Sequence, residues 1–260
     1  MTSCLLVVDI GNTHIVLGVF EGAKLMAHWR IATKQKRTED ELAIIINELF
    51  GLKELDIKRV NDMVISCVSP PVLPSFIIFA QNTFSCEPLV IGPGVKTGVS
   101  INIDNPREVG ADRIANAAGA LASHKPPFII VDFGTAITID MISADSEYMG
   151  GAIVPGVRLS LNALYHHAAK LPEVEFIKPP SVIGRNTVHS MQSGAYYGYA
   201  SLVDGIVSRM KEHIGPPYPM VIATGGEAGL IAPASETITI VEDNLTLVGL
   251  RAIHEKNRTR

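Results

Sequence analysis

Twice in this chain a buried apolar run carries one carboxylate into a turn of small polar residues. Residues 5–16 read LLVVDIGNTHIV and residues 128–139 read FIIVDFGTAITI; laid over each other without a gap, Asp132 falls on Asp9, Gly134 on Gly11 and Thr135 on Asn12. A glycine turn lets backbone N–H groups face an anion with no side chain in the way, and Asn12 and Thr13 add side-chain donors. A carboxylate beside such a turn repels phosphate unless a Mg2+ ion lies between them, held directly or through water. Taken singly, each stretch also reads as a hairpin turn closed by an Asx interaction. A third glycine turn, ATGGEAGLI at 223–231, follows another apolar run, and close backbone approach at Gly225 and Gly226 would accommodate a flat adenine and its ribose.

Other residues carry weaker signals. Asp112 beside Arg113 offers a proton acceptor next to a fixed fork of donors, but the same pair also reads as a solvated ion pair in the early turns of a helix. His166 and His167 are adjacent, so on a helix they point about 100° apart and make a poor bidentate metal site. His14 lies inside the first polar turn, with a packing role as its simpler reading. Cys4, Cys67 and Cys86 are too few and too irregular for a disulfide framework or a zinc cage and read as reduced, buried thiols. Tyr196, Tyr197 and Tyr199 read as core or subunit interface rather than as a stacking platform. Neither G-x-x-x-x-G-K-[ST] nor G-x-G-x-x-G is present.

The elements that must position these groups follow from the pattern. Residues 4–33 alternate short β-rich runs with turns at Gly11-Asn12 and Glu21-Gly22, which predicts an antiparallel meander. Thr38 and Glu41 form a capping-box pattern ahead of Leu42, Ile45, Ile46 and Leu49 at helical spacing, and Gly51 ends the run. A buried strand is expected over 61–67, ended by Ser69-Pro70-Pro71, and another short one over 88–91. Pro106 fits the first turn of a helix whose alanine-rich body runs through IANAAGALAS. The second half opens on the repeated motif, continues as a meander, and then predicts helices over 157–170, 195–214 and 245–254 around a strand at 219–224.

One repeat half a chain apart implies a duplicated α/β domain rather than a solenoid. The expected division is 1–115 and 116–260, with a nucleotide cleft between the halves.

The 260 residues, 47% hydrophobic and 18% charged, suffice for a large core, and a net charge of -4 with pI near 6.1 gives no basic field for nucleic acid. No apolar stretch approaches the roughly 20 residues that span a bilayer, and the first apolar run meets Asp9 too early for a signal peptide. A cytoplasmic location without nucleic-acid or membrane partners is expected.

With these residues in view, DIGNT, DFGTAITID and ATGG resemble the phosphate-1, phosphate-2 and adenosine segments of the acetate and sugar kinase/heat-shock chaperone/actin superfamily. Within it, NPREVGADR at 105–113, GGAIVPG at 150–156 and GRNTVHSMQSGAYYG at 184–198 resemble type III pantothenate kinases nearly end to end. The resemblance implies two ribonuclease-H-like domains and transfer of the ATP γ-phosphoryl group to the primary hydroxyl of pantothenate, the entry to coenzyme A. It implies that Asp9, Ile10, Gly11, Asn12, Thr13, His14, Ile15 and Val16 bind ATP, joined by Thr135. It makes Asp112 the general base, Gly110, Ala111, Asp112 and Arg113 the pantothenate segment, and Thr187 a further substrate contact. By itself Thr187 also reads as a helix N-cap.

Asp132 is assigned a monovalent cation, K+ or NH4+, while Asp9 is left to Mg2+. The family pairs as homodimers through the second half. Where many members carry a tyrosine seven residues before GADR, this chain has Ile103, which can line an apolar wall but cannot donate a hydrogen bond. A second expectation, a nucleotide-binding regulatory protein without catalysis, would be marked by loss of Asp9, Asp112 or Asp132, and all three are present.

Overall fold

A computed structural model of the chain describes residues 3–258. In chain order it forms β1 (Cys4–Ile10), β2 (His14–Glu21), β3 (Lys24–Ala32), α1 (Glu39–Gly51), β4 (Val60–Cys67), α2 (Leu73–Phe84), β5 (Leu89–Val90), β6 (Ser100–Ile101) and α3 (Ala111–Ser123). It continues with β7 (Phe128–Phe133), β8 (Ala136–Ile142), β9 (Glu147–Pro155), α4 (Val157–His167), α5 (Thr187–Ile214), β10 (Met220–Thr224), α6 (Ala228–Ile231), β11 (Ile240–Val241) and α7 (Leu245–Asn257).

Two compact units result. The first gathers the chain up to Val99, Asn105–Ser123 and the chain from Leu245 on; the second holds Ser100–Asp104 and His124–Asn244. The sheet of the first unit runs β3-β2-β1-β4-β5, with β1, β2 and β3 antiparallel and β4 and β5 parallel to β1. The second sheet repeats that order as β9-β8-β7-β10-β11 and adds β6 beside β9. This is the expected duplication of a ribonuclease-H-like sheet.

β1 explains why the first motif reads as a continuous apolar run rather than an alternating one: both of its faces are covered. Leu6, Val8 and Ile10 join Leu42 and Ile46 of α1 and Phe76 and Phe79 of α2 in one core. On the opposite face α3 and α7 pack against β1 and β4. Each fully buried residue of β1 contributes about 1.5–3 kcal/mol through the water it sheds. Asp9, at the strand's end, is its single polar member and stays half-buried.

The capping box forms as predicted, with Glu41 N–H donating to Thr38 Oγ1 at 3.3 Å and Thr38 N–H to Glu41 Oε2 at 2.9 Å. α3 and α7 cross at two glycines. A Cβ on Gly249 would lie 1.8 Å from the Ala115 carbonyl oxygen, and one on Gly119 2.3 Å from that of Leu245. Beside the crossing, Thr246 Oγ1 donates to Asn116 Oδ1 at 2.6 Å.

In the second unit, Ile129, Val131 and Phe133 of β7 and Ile137 and Ile139 of β8 meet Leu161 of α4 and Tyr196, Val203 and Val207 of α5. Tyr196 is thus a core residue, as expected, and Tyr199 Oη donates to the Pro155 carbonyl.

The structure departs from the pattern in four places. Pro70 and Pro71 open a short 3-10 turn that leads into α2, whose own Pro74 sits in its first turn, where a proline's missing N–H needs no partner. Pro106 opens a separate short 3-10 turn capped by Asn105, not α3 itself. α5 starts at Thr187 rather than 195. The units also divide differently from the expected 115/116 boundary: α3 stays whole in the first unit, and α7 returns to it, where Leu247 lies against Gly18 of β2.

Candidate functional site

In the first unit the chemistry collects at the C-terminal ends of β1 and β4, where a parallel pair leaves its strand ends open to loops. β1 and β4 hold Asp9 directly opposite Ser66. The Val68 N–H then donates to the Ile10 carbonyl at 2.9 Å, extending the pair by one step. The turn after β1 is closed by Gly11 N–H donating to the His14 carbonyl at 3.0 Å, and a Cβ at Gly11 would lie 2.8 Å from that oxygen. Thr33, at the end of β3, ties down the same turn: its Oγ1 donates to the Gly11 carbonyl at 2.8 Å and its N–H to the Thr13 carbonyl at 3.0 Å.

The GADR segment arrives beside these strand ends. A Cβ at Gly110 would meet Val68 Cγ1 at 3.6 Å and Asp112 Oδ1 at 2.4 Å, so glycine lets the chain enter α3 with the Asp112 carboxylate folded against it. Asp112 Oδ1 accepts from the Arg113 N–H at 2.8 Å, in the first turn of the helix, where backbone donors favour negative charge. Nearby, burial pushes the Cys67 thiol up, the Ser69 N–H works against it and the Asp9 charge adds to it, so Cys67 stays protonated and is a poor nucleophile.

The second unit builds a matching end from different parts. β10 runs parallel to β7 with Thr224 opposite Asp132. Gly225, at φ +93°, turns the chain so tightly that a Cβ there would lie 2.5 Å from Asp132 Oδ1. Gly156, which precedes α4, lies against the other motif turn: its N–H donates to the Thr135 carbonyl at 3.0 Å, and a Cβ would come within 2.4 Å of that oxygen. Arg158 Nε donates to Glu227 Oε1 at 2.5 Å and so links α4 to the turn after Gly226. Asp132, the Gly134-Thr135 turn and the Gly225-Gly226 turn are therefore neighbours within one unit.

Not every residue of the predicted site faces solvent. Asn12, Thr13, His14, Thr135 and Gly226 are exposed, and Asp9, Gly11, Val16, Asp132 and Gly225 are half-buried. Ile10 and Ile15, however, are wholly buried in the core, so only their backbone is available to a ligand. Gly110, Ala111, Asp112 and Arg113 are half-buried in the first unit. Ile103 belongs to the second, where its Cγ2 lies 3.5 Å from a Cβ built on Gly150.

Thr187 is the first residue of α5, and the cap is its neighbour Asn186, whose Oδ1 accepts from the His189 N–H at 2.8 Å. Thr187 is left exposed, with no capping task. Sequence reasoning passed over Ser66, Thr33 and Asn116. Only Asn116 had a usable signal, standing four residues after Asp112 on the same helical face.

Among the described residues no three His, Cys, Asp or Glu side chains converge as a metal site. A cation at Asp9 or Asp132 would take most of its ligands from water and phosphate oxygens, a donor set that suits Mg2+ with a nucleotide.

Comparison with known proteins identifies the family. A family model described as type III pantothenate kinase matches residues 5–209. A type III pantothenate kinase of Exiguobacterium sibiricum is 53% identical over 254 residues, 98% of this chain and all of that protein. One from Geobacter sulfurreducens is 52% identical over 254 residues, covering 98% of this chain and 99% of its own.

Among solved structures, component A of the (R)-2-hydroxyglutaryl-CoA dehydratase of Acidaminococcus fermentans matches with TM-score 0.56 at 13% identity, covering 98% of this chain and 100% of its own. The ethanolamine utilization protein EutJ of Carboxydothermus hydrogenoformans matches with TM-score 0.55 at 15% identity, covering 96% and 88%. At such identities the likeness is one of fold, the actin-like ATPase fold of two ribonuclease-H-like domains. The match to the family model and the half-identical relatives along nearly the whole length go further: the chain belongs to the type III pantothenate kinase family.

Proposed function

We propose that this protein transfers the γ-phosphoryl group of ATP to the primary hydroxyl of pantothenate, giving 4'-phosphopantothenate and ADP at the start of coenzyme A synthesis. The observation that carries this reading is the placement of Asp112 in the first turn of α3, beside the strand ends that hold Asp9 and the Gly11–Thr13 turn. A primary alcohol is a poor nucleophile, so Asp112 accepts its proton as the oxygen attacks the γ-phosphorus and the bond to ADP breaks. Arg113 supplies a guanidinium fork to the pantothenate carboxylate. Thr187, free of capping duty, serves as a further substrate contact, and Ile103 lines the pocket as an apolar wall.

The backbone and side chains of Asp9 to Val16, with Thr135, hold the phosphates, and Gly225 and Gly226 take the adenosine. Asp9 would help to hold Mg2+, which would offset the charge of the phosphate chain. Asp132 serves the monovalent cation, K+ or NH4+. The regulatory alternative is disfavoured by the presence of all three aspartates and by relatives that are named kinases.

A homodimer formed through the second unit fits the surface. Among the described residues nine of the fourteen exposed large hydrophobic side chains fall between 149 and 188, including Ile153, Leu159, Leu164, Val182 and Ile183. Their concentration in one stretch of the second unit supports that reading. No helix among the described residues is long and apolar enough to cross a membrane, and a cytoplasmic site of action suits the substrates.

The test is direct. Purified protein with ATP, Mg2+, K+ and pantothenate is expected to form 4'-phosphopantothenate, detected by mass spectrometry. Asp112→Asn should lower kcat by about 100- to 10,000-fold with an unchanged melting temperature. No product from the wild type would sink the assignment, and near-normal turnover of Asp112→Asn would remove Asp112 from the base role.

A further inference from the structure

The loop that joins β3 to α1 contains a buried cationic donor that the fold does not satisfy. It reads TKQKRT over 33–38, placing Lys34, Lys36 and Arg37 within four positions. Lys34 and Lys36 are exposed, whereas Arg37 is only 8% exposed, and its Nη1 is shut off from solvent with no hydrogen-bond acceptor among the described residues. A buried carboxyl, imidazole or ammonium can discharge the cost by changing protonation. A guanidinium cannot, because it keeps its proton at any pH a protein experiences. A buried donor on a permanent charge is strongly unfavourable unless an acceptor reaches it.

The position of the loop indicates where that acceptor comes from. Thr33, its first residue, is the one that grips the Gly11–Thr13 turn through two hydrogen bonds, Oγ1 to the Gly11 carbonyl and N–H to the Thr13 carbonyl. A further turn, closed by Arg37 N–H donating to the Lys34 carbonyl at 3.2 Å, folds the chain back so that Arg37 stands beside Lys34 and not out along an extended arm. The end residues of a β-turn lie within about 7 Å of each other, a distance an arginine side chain itself spans. The loop thus starts on the glycine turn at Thr33 and carries two exposed lysines and one buried guanidinium within the next four residues.

We propose that Arg37 is a phosphate-binding residue: its guanidinium donates to the oxygens of the di- or triphosphate chain of a nucleotide seated at the Gly11–Thr13 turn, and Lys34 and Lys36 raise the local concentration of that polyanion. This rests on the reading of that turn as the nucleotide phosphate site. It adds a specific consequence, that the first unit grips the phosphate chain with a charged side chain as well as with backbone N–H groups. Guanidinium and phosphate form paired, charge-assisted hydrogen bonds, which single out phosphate from the uncharged adenosine end.

The test measures binding without turnover. Calorimetric titration of ATP, ADP and adenosine, together with ligand-free melting temperatures, is carried out on the full chain of the wild type, Arg37→Lys and Arg37→Met. Loss of one charge-assisted contact is expected to weaken ATP and ADP about 10- to 100-fold in Arg37→Met, with adenosine unchanged and Arg37→Lys in between. The ligand-free melting temperature of Arg37→Met should equal or exceed that of the wild type, because an unsatisfied buried charge has gone.

Wild-type affinity for ATP and ADP in Arg37→Met would overturn the proposal. So would an Arg37→Met protein that melts several degrees lower or fails to fold, since that outcome assigns Arg37 to packing, as would equal loss of affinity for all three ligands. A wild-type protein that binds neither nucleotide would remove the nucleotide site itself, and the proposal with it.

Discussion

Replacing Gly249 by alanine tests the placement of α3, the helix that bears the proposed base Asp112, from a residue on the facing helix α7. The new Cβ would lie 1.8 Å from the Ala115 carbonyl oxygen, 2.7 Å from its carbon and 2.9 Å from the Gly119 nitrogen. All three are backbone atoms, so no side-chain rotation relieves the overlap, and α3 and α7 must part. Restoring a separation of at least 3.0 Å from 1.8 Å needs about 1.2 Å of movement. Overpacking of this kind costs about 1–3 kcal/mol, and the better helix propensity of alanine returns up to ~1 kcal/mol. At roughly 2–4 °C per kcal/mol for a chain of this size, a net cost of up to about 3 kcal/mol should lower the melting temperature by up to about 12 °C.

The larger effect is on rate. Ala115 is in the same helical turn as Asp112, and a displacement of about 1 Å in a reacting group costs on the order of 100-fold. Differential scanning calorimetry and steady-state kinetics with pantothenate measure the two effects separately. Gly51→Ala, at an exposed helix end with nothing within 4 Å of the new Cβ, is the control and should leave both unchanged. A Gly249→Ala enzyme with wild-type melting temperature and kcat would refute the idea that the crossing sets the position of the base.

Two further outcomes follow from the second unit. Asp132→Asn should raise the K+ concentration needed for half-maximal rate at least about tenfold while sparing the fold, as read by titrating K+ into choline-buffered assays; an unaltered K+ curve would free Asp132 from the cation role. Burial alone would raise the Asp204 carboxyl, but hydrogen bonds from Ser235 Oγ, Thr237 Oγ1 and the N–H groups of Glu236 and Thr237 outweigh it and hold the group below the usual carboxylate range. A depressed folded-state value means stability that is complete above the unfolded value of about 3.9 and is lost as pH falls through the folded one. Asp204→Asn should therefore cost about 1–3 kcal/mol at pH 7, and its melting temperature should fall less steeply than that of the wild type below pH 4. Parallel pH profiles for the two proteins would contradict this account.

The parts of the candidate site that stand out in the sequence are those where the proposed chemistry restricts the residue type locally. A phosphate turn needs glycine and short donors next to a strand, so Asp9-Gly11-Asn12 and Asp132-Gly134-Thr135 stood out and revealed the duplication. The structure shows that duplication as one strand order in both sheets, β3-β2-β1-β4-β5 and β9-β8-β7-β10-β11. What escaped depends on partners distant in sequence. α2 was hidden by the prolines before and at its start, Pro70, Pro71 and Pro74, which break a run when read locally but fit the first turn of a helix, where their missing N–H groups need no partner. The 115/116 boundary failed because α7 buries Leu247, Leu250 and Ile253 in the unit opposite to the one its sequence position indicates. Thr187 was ambiguous because a cap and a first helical residue differ by one position, and Asn186 took the cap. Arg37 had no motif at all; only its burial singles it out.

These misses bear on how the site works. GADR supplies the carboxylate and the guanidinium, but nothing within those four residues sets where the helix that bears them lies. That is decided at Gly119 and Gly249, where two backbones touch, and at Asn116, which holds Thr246 from 130 residues away. On the proposed assignment of Asp112 as the base, that carboxylate is therefore positioned by α7 rather than by its own motif. An exchange at 119 or 249 to a larger residue can preserve GADR intact and still disable the enzyme, unless the facing helix changes with it.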